Sequence, residues 1–437
     1  MPKFYLEGYG CSLNRADTEA ISGFLRAHGF SRCKKPASAD FIIMNTCAVK
    51  EPTEYRMLNR IGKLWALRPS GASLIVFGCL PKISPKKVSE ISSEIVLLGT
   101  DLGKLAEFMC LPPEHFSPAV PQERDNKFIS ILPISRGCLG SCTYCATKNA
   151  RGKLRSYSPE ELNAAFRAAL SSGAKEIWLT AQDTGCYGAD LRCAGGKPRR
   201  HGAADRSASL PELLELLLSN EGDYRVRIGM MNPNHLKAFF GRYVKLLKNK
   251  KMYRFIHIPL QSGSERILRL MKRPYTARAF LALAKRLRRE LPDVTISTDI
   301  IVGFPTETDS DFRKTVSLLK KFTPDIVNIS RFGARPDTEA AEMKGQLRGS
   351  AKKARSRELS ALCREFSLAR NRRMLGKTCA VLVCEKGSKG GLIGRTENYK
   401  PALLNGNFLG KYVKMRITAA YGTYLEAVPI APKARKK

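Results

Sequence analysis

The feature that most constrains this chain is the alternation of strand and helix patterns along its N-terminal part. Short apolar runs typical of strands occur at residues 3–9, 41–45 and 73–77, and amphipathic helix patterns occur at 16–28 and 51–67. A strand–helix–strand order implies parallel strands that are joined by right-handed crossovers. We therefore expect a parallel α/β domain over residues 1–111.

Each of these three strand patterns is followed directly by a cysteine. Cys11, Cys47 and Cys79 come just after the first, second and third strand. Because the carboxyl ends of parallel strands meet at one edge of a sheet, residues far apart in sequence should converge there. This pattern predicts a three-cysteine metal site. The alternative is three scattered buried cysteines, since free cysteine packs as a small apolar residue.

A second block of alternating elements follows a Pro-rich, polar stretch at residues 112–127, which is typical of a linker. The block covers residues 128–345 and is predicted to be a partial (β/α)6 barrel with its site at the C-terminal mouth. A basic, Gly-containing insertion at 192–207 interrupts it and is either an RNA contact or a solvated loop. The six predicted strands lie at 128–134, 176–181, 225–230, 255–259, 294–302 and 326–332.

Three further cysteines lie in the loop after the first strand of this block. Cys138, Cys142 and Cys145 are separated by three and then two residues. Three thiolates can hold an iron–sulfur cluster and leave one iron open, and S-adenosylmethionine can chelate such an iron. A zinc site is the alternative, although the next downstream Cys or His is Cys186, beyond a predicted helix and strand.

The C-terminal part changes in character. Residues 346–375 form a basic helical connector, in which Leu359, Leu362, Phe366 and Ala369 recur at helical spacing and are expected to face the core. Residues 376–437 contain about five short strand patterns separated by Gly, Asn and Lys, followed by a basic tail at 432–437. This pattern of short strands predicts a small β-barrel that binds single-stranded RNA.

Composition limits the partners and the compartment. The chain has 75 Lys and Arg against 39 Asp and Glu, a formal net charge of +36, which favours a polyanion such as nucleic acid. A generally basic proteome is the alternative. The start of the sequence has no signal-peptide pattern and no apolar run is long enough to span a membrane, so we expect a cytoplasmic protein without membrane contact.

Cysteine usage agrees with a reducing compartment. The chain has 13 cysteines without a secretion signal, which favours metal or redox chemistry over a disulfide framework. Seven of them form no recognisable ligand pattern and are expected to be structural. These are Cys33, Cys110, Cys186, Cys193, Cys363, Cys379 and Cys384.

Together, these features resemble the radical S-adenosylmethionine methylthiotransferases over nearly the whole chain. The order is the same: an N-terminal three-cysteine domain, a radical domain with CxxxCxxC, and a C-terminal TRAM domain. Within that family the chain is most similar to the archaeal and eukaryotic tRNA branch. The similar segments are GCLGSCTYC, ARGKLRSYSPEEL, WLTAQDTGCYG, RIGMMNPNH, TDIIVGFP and IGRTENYKP.

The resemblance implies a reaction and its cofactors. Members of this branch add a methylthio group to C2 of N6-threonylcarbamoyladenosine in tRNA, at position 37 next to the anticodon. The implied cofactors are S-adenosylmethionine and two [4Fe-4S] clusters, one on each cysteine triplet. An electron donor of reductase, ferredoxin or flavodoxin type and a sulfur source are implied as partners. Alternative readings are isopentenyl-adenosine tRNA or a ribosomal protein as substrate, or a non-catalytic redox-sensing RNA-binding protein.

The resemblance also implies contacts to S-adenosylmethionine from residues in the cysteine loop and just past strand ends, although such residues are often only packing or capping groups. One departure is Thr306 in GFPTET, where members often have glycine; we expect an altered turn but retained activity. The implied cofactor contacts are Tyr144, Gln182, Asp183, Gln261, Ser262 and Glu307.

Overall fold

The computed structural model describes residues 1–191 and 209–430. The predicted insertion at 192–207 and the predicted tail at 432–437 lie outside these residues. Three parts follow one another along the described chain: a parallel sheet, a partial β/α barrel and a closed β-barrel. Within the described ranges, no helix combines the length and apolar character needed to cross a membrane.

The N-terminal part is a five-stranded sheet with the order β2-β1-β3-β4-β5, and all of its strands are parallel. The three predicted strands are confirmed, and two short edge strands extend the sheet on either side. The strands are β1 (Lys3–Gly8), β2 (Ser31–Arg32), β3 (Phe41–Thr46), β4 (Ser73–Gly78) and β5 (Val96–Gly99). The helices are α1 (Ser12–Ala27), α2 (Glu51–Leu67), α3 (Leu80–Ile83), α4 (Pro85–Ser89) and α5 (Leu102–Phe108).

The two central strands of this sheet are almost completely buried. Five of the six residues of β3 and of β4 are buried, as expected for parallel strands that are covered on both faces. Pro52 lies in the first turn of α2, where its missing N–H costs no helical hydrogen bond. The stretch at 112–127 has no helix or strand, but Phe116 and Val120 pack into the core on the α1 and α5 side.

The central part contains six parallel strands in two adjoining sheets, β10-β9-β6 and β11-β12-β13. Isolated parallel bridges, Val226 to Met252 and Met230 to His257, connect the two sheets. The predicted partial (β/α)6 architecture is therefore confirmed. Two short strands, β7 before the cysteine loop and β8 after it, pair with each other in antiparallel fashion.

The strands of the central part are β6 (Ile129–Pro133), β7 (Ser135–Arg136), β8 (Arg155–Ser156), β9 (Glu176–Thr180), β10 (Arg225–Ile228), β11 (Phe255–His257), β12 (Thr295–Val302) and β13 (Ile326–Arg331). The helices are α6 (Ala146–Arg151), α7 (Pro159–Ser171), α8 (Leu210–Leu218), α9 (Pro233–Ala238), α10 (Phe240–Leu247), α11 (Glu265–Leu270), α12 (Ala277–Glu290), α13 (Asp309–Phe322) and α14 (Glu339–Glu342). Local sequence fixes several starts: Ser158 and Glu161 form a capping box ahead of α7, with a proline in its first turn.

The C-terminal part begins with the long helix α15 (Gly349–Arg372), which packs on β13. Leu359 is buried and Leu362 and Phe366 pack on the central core, as predicted, but Ala369 is exposed and Cys363 faces the core instead. The closed barrel follows with the order β14-β15-β16-β18-β17. Its strands are β14 (Thr378–Lys386), β15 (Leu392–Thr396), β16 (Pro401–Leu404), β17 (Tyr412–Ala420) and β18 (Leu425–Pro429).

A buried carboxyl group in α1 gives this fold a specific pH dependence. Glu19 is 3 % exposed, its Oε2 has no hydrogen-bond partner in the described chain, and burial raises its pKa to about 7. A group whose pKa is higher in the folded state than in the unfolded state stabilises the fold at low pH. That stabilisation is lost as the pH rises through its folded-state pKa.

The variant Glu19→Gln should therefore be more stable than the wild type at pH 8, by about 2 kcal/mol, and should show no gain at pH 4. Urea unfolding at both pH values measures this, with the exposed Glu90→Gln as the matched control. Equal pH slopes for wild type and Glu19→Gln would show that the carboxyl group is solvated.

Candidate functional site

The first cysteine triplet lies at the carboxyl edge of the N-terminal sheet. Cys11 immediately precedes α1, Cys47 follows β3, and Cys79 immediately precedes α3. Burial, with smaller contributions from the neighbouring Cys79 and Cys11, raises the pKa of the Cys47 thiol to about 11. The three thiols thus lie close enough to interact. Gly10 permits this approach, because a Cβ there would lie 2.6 Å from Cys47 Cβ and the backbone has a φ of +110°.

Side chains from α1 and from the central part surround this triplet. Asn14 Nδ2 donates to the carbonyls of Tyr9 and Thr46, at 2.9 and 2.8 Å, and so ties two of the cysteine loops together. Arg151, at the end of α6, donates to Asn14 Oδ1 at 2.5 Å and to Asp17 Oδ2 at 2.6 Å. A cation from the central part therefore lies beside the N-terminal triplet.

The second triplet lies in the loop between β7 and α6, with Cys145 as the residue that precedes the helix. Gly140 lies between two of its thiols: a Cβ at this position would be 3.3 Å from Cys138 Sγ and 3.7 Å from Cys142 Sγ. The Gly140 N–H donates to Cys138 Sγ at 3.2 Å. Arg273 Nη1 donates to Cys142 Sγ at 2.9 Å, and its Nε donates to the Tyr275 hydroxyl at 2.9 Å.

Both triplets offer a donor set that fits an iron–sulfur cluster. Each provides three thiols on loops, with an arginine close by and, at the second triplet, a backbone N–H that donates to sulfur. Hydrogen bonds to the sulfurs and nearby charge are what proteins use to tune such clusters. Across residues 1–191 and 209–430, no group of three His, Cys, Asp or Glu side chains is arranged to hold a metal ion. A cluster requires a different arrangement, since each cysteine binds its own iron.

A cavity of about 320 Å³ lies between the two domains, beside the second triplet. Cys145 and Tyr144 line it from the cysteine loop, and Val49 to Glu51 line it from the N-terminal domain, shortly after Cys47. Gln261 also lines it and has a φ of +68°. Its N–H donates to Asp299 O at 2.8 Å and its carbonyl accepts from Ile301 at 3.0 Å, while its buried Oε1 has no described partner. Such a strained, unsatisfied residue in a cavity indicates a ligand site.

The structure divides the expected cofactor contacts into two groups. Tyr144 and Gln261 line the cavity, and Tyr144 packs edge-on against Phe304 with ring centroids 6.4 Å apart. Gln182 does not line this cavity, but its Oε1 is buried and has no partner in the described chain. These three residues keep polar or aromatic groups available to a ligand.

The other three expected contacts use their polar atoms within the protein. Asp183 accepts from the Gly185 N–H at 3.0 Å and from the Asn232 N–H at 3.1 Å. Ser262 Oγ accepts from the Ser264 N–H at 3.2 Å. Glu307 Oε2 accepts from the Gly303 N–H and from Arg355, both at 2.7 Å. Their hydrogen bonds stabilise turns at the strand ends and hold α15 against the central sheet.

Thr306, where the resemblance led us to expect glycine, adopts a backbone conformation that glycine favours. Its φ is +64°, a left-handed conformation that is unusual for a β-branched residue. Arg266 holds it there, because Nη1 donates to Thr306 Oγ1 at 3.1 Å and Nη2 donates to Thr306 O at 2.6 Å. The threonine thus provides a side-chain acceptor that glycine lacks.

Several polar residues of the cavity were not predicted from the sequence. Asp299 lies within β12 and its carboxylate contacts His257 Nε2 at 2.9 Å and Asn328 Nδ2 at 2.8 Å. Arg335 lies in the loop after β13, and its Nη1 donates to Glu54 Oε2 of the N-terminal domain at 2.5 Å. A polar residue inside the apolar strand TISTDIIV was a usable signal for Asp299, whereas nothing local distinguished Arg335.

Comparisons with known proteins agree with this arrangement of parts. The family model "Uncharacterized protein family UPF0004" matches residues 3–99, "Radical SAM superfamily" matches 132–319, and "TRAM domain" matches 372–430. Among solved structures, the chain is similar to the radical S-adenosylmethionine methyltransferase TsrM from Kitasatospora setae, whose structure contains cobalamin and a [4Fe-4S] cluster. The TM-score is 0.55 at 13% identity, covering 78% of this chain and 77% of that one, so this likeness shows the fold alone.

Curated relatives match the chain from end to end. A protein of Pyrococcus horikoshii named probable threonylcarbamoyladenosine tRNA methylthiotransferase is 38% identical over 97% of this chain and 99% of its own length. A protein of the same name from Methanothermobacter thermautotrophicus is 37% identical with the same coverage. The threonylcarbamoyladenosine tRNA methylthiotransferase of Drosophila melanogaster is 34% identical over 96% of this chain and 76% of its own length. The chain therefore belongs to the threonylcarbamoyladenosine tRNA methylthiotransferase family.

Proposed function

We propose that this chain is an enzyme that transfers a methylthio group to C2 of N6-threonylcarbamoyladenosine in tRNA, at position 37. The observation that carries the proposal is the full-length match to relatives of that name, at 38% identity over 97% of the chain. The C2–H of adenine is not acidic and carries no leaving group, so general acid–base chemistry has no suitable proton to move. Radical chemistry supplied by a cofactor solves that problem.

Two [4Fe-4S] clusters and S-adenosylmethionine are the cofactors in this proposal. Three cysteines of the central loop, Cys138, Cys142 and Cys145, would hold one cluster, and Cys11, Cys47 and Cys79 would hold the other. When bound, these groups supply the electron that cleaves S-adenosylmethionine and the sulfur that is transferred. A reductase, ferredoxin or flavodoxin and a sulfur source are the proposed partners that replenish both.

The protein side chains orient and shield the reactants. Tyr144 offers an aromatic face and Gln261 a free amide oxygen on the wall of the cavity, and both suit the adenine and the polar end of S-adenosylmethionine. Contacts across the domain boundary join the two parts of the chain that carry the cysteine triplets. Ser12 Oγ lies 2.6 Å from Thr180 Oγ1, and Arg151 contacts Asp17. A shared boundary of this kind lets one substrate nucleoside reach both sites.

The barrel offers the clearest surface for the tRNA backbone. Among the described residues, one exposed cation of the barrel forms an ion pair, Lys377 with Asp293 at 3.8 Å. The other exposed cations of the barrel have no carboxylate within ion-pair distance in the described chain. In β17, exposed Lys414 and Arg416 alternate with buried Met415 and Ile417. Several basic residues of α15 are used internally instead: Arg355 pairs with Glu307. We therefore assign the phosphate contacts to the barrel, and binding should weaken steeply with salt.

Nucleoside mass spectrometry on a deletion strain tests the proposed function. The strain should lack the methylthio form of threonylcarbamoyladenosine and accumulate the unmethylthiolated nucleoside, and the wild-type gene should restore the missing form. Loss of a methylthio-isopentenyl nucleoside instead would reassign the substrate. An unchanged nucleoside profile would contradict a tRNA-modifying role and favour a redox-sensing RNA-binding protein.

A further inference from the structure

Charged side chains line the cavity where the two domains meet. Arg335 and Arg331 line it from the loop and strand end of the central part, and Lys50 lines it from the N-terminal domain. Two carboxylates, Glu51 and Asp299, line it as well. Asp299 is already satisfied, because His257 and Asn328 both contact its oxygens.

Arg335 is the most informative of these cations. It is 4 % exposed and its Nη1 donates to Glu54, while its buried Nε and Nη2 have no hydrogen-bond partner in the described chain. A buried N–H without an acceptor is costly, and native proteins rarely keep one without a reason. Nε and Nη2 form one edge of the planar guanidinium, and this edge binds a carboxylate through two parallel hydrogen bonds.

We infer that Arg335 binds the threonine carboxylate of the substrate nucleoside through this edge, with Lys50 and Arg331 adding positive charge. The inference rests on the proposed function, since it assigns a recognition element to the threonylcarbamoyl group. An unmodified or isopentenyl adenine has no anion to place there and leaves the guanidinium edge unpaired. Sites built to hydrogen-bond one group reject analogues that lack it more strongly than apolar pockets do.

The methionine carboxylate of S-adenosylmethionine is the competing occupant. It stands next to an ammonium group, and it would be engaged if the methionine end of S-adenosylmethionine chelates the open iron. The threonine carboxylate has no such neighbour, because its amine is part of the carbamoyl linkage. It is a lone anion that needs a cation from the protein. Glu54 fixes Arg335 across the domain boundary, where the substrate has to lie to reach both cysteine sites.

Binding of synthetic anticodon stem-loops to the full-length, cluster-reconstituted protein tests this inference, because it measures affinity and not turnover. Three RNAs are compared: one with threonylcarbamoyladenosine, one with its carboxyl methyl ester, and one with unmodified adenosine. The wild type should prefer the free acid over the ester by roughly tenfold to a hundredfold, because a charge-assisted bidentate contact is lost. In Arg335→Gln the ratio of the two affinities should fall close to one.

Loss of Arg335 removes a partner of the buried Glu54 and so could unfold the protein. Two further variants keep the inference testable in that case. Lys50→Ala and Arg331→Ala change exposed residues and should each lower the acid-to-ester preference by roughly threefold. Lys63→Ala, an exposed cation of α2 outside the cavity lining, is the matched control and should keep the wild-type ratio. Thermal melting checks that each variant is folded.

The outcomes separate the inference from the proposed function. If the wild type methylthiolates threonylcarbamoyladenosine but binds acid and ester equally, the carboxylate contact is wrong and the function stands. If Arg335→Gln keeps the acid preference and loses affinity for S-adenosylmethionine, the cofactor is the occupant and the inference is overturned. If the wild type neither binds nor modifies the threonylcarbamoyl RNA, the proposed function fails together with the inference.

Discussion

Replacing Cys138 with alanine should abolish cleavage of S-adenosylmethionine and remove about four irons per chain. Cys138 Sγ accepts the Gly140 N–H and shares its loop with two further thiols. Removing one of three protein ligands leaves a cluster with two, which is too few to retain it under turnover. The readout is 5′-deoxyadenosine formed with dithionite after anaerobic reconstitution, together with iron content.

Cys33→Ala is the matched control for this prediction, because it makes the same chemical change outside both triplets. Cys33 is half-buried; its Sγ donates to the Lys35 carbonyl at 3.3 Å and its side chain packs against the N-terminal core. It should keep both the iron and the cleavage activity of the wild type. Undiminished deoxyadenosine formation by the Cys138 variant would rule out the central loop as the site of cofactor cleavage.

Replacing Asp17 with alanine should destabilise the protein by about 3–5 kcal/mol. Asp17 is fully buried and its two carboxylate oxygens pair with Arg136 and Arg151 of the central part. Removing the carboxylate leaves two guanidinium groups without their main partner at the domain boundary. Denaturant unfolding near neutral pH measures the loss, and Glu90→Ala, an exposed carboxylate, provides the control.

The effect of this variant should also depend on pH. Burial alone would raise the pKa of Asp17, but Arg136 and Arg151 outweigh burial and lower it. A carboxyl group whose pKa is lower in the folded state than in the unfolded state stabilises the fold at pH values above its unfolded-state pKa. That stabilisation is lost as the pH falls through its folded-state pKa. The gap between wild type and Asp17→Ala should therefore shrink below about pH 4. A gap that is equally large at pH 3 and pH 7 would mean that packing, not charge, carries the effect.

The sequence predicted most of the fold because its patterns are local and repeat. Apolar runs bounded by cysteine loops located β1, β3 and β4, and parallel topology then brought Cys11, Cys47 and Cys79 to one edge. The two edge strands were missed because two to four residues carry too little pattern. Ala369 was placed on the wrong face of α15, since spacing alone could not show that Cys363 faces the core.

The candidate site was predictable only in part, because a residue type does not reveal its partner. Ser262 and Glu307 lie at strand ends, as expected, but both are used in hydrogen bonds within the protein. Whether a strand-end residue serves a ligand or a turn depends on neighbours that are distant in sequence, such as Arg355 for Glu307. Arg335 shows the opposite case, a residue that the sequence does not mark but that has polar atoms to spare. Glu54 of the N-terminal domain accepts from its Nη1, and its Nε and Nη2 have no partner in the described chain.

Iron analysis after anaerobic reconstitution tests the central claim, namely that the protein holds two clusters, one on each cysteine triplet. The wild type should bind about eight irons and eight sulfides per chain. A variant with Cys11, Cys47 and Cys79 replaced by alanine should bind about four, and so should the variant lacking Cys138, Cys142 and Cys145. A wild type that saturates at about four irons, all lost with the second triplet, would contradict the account.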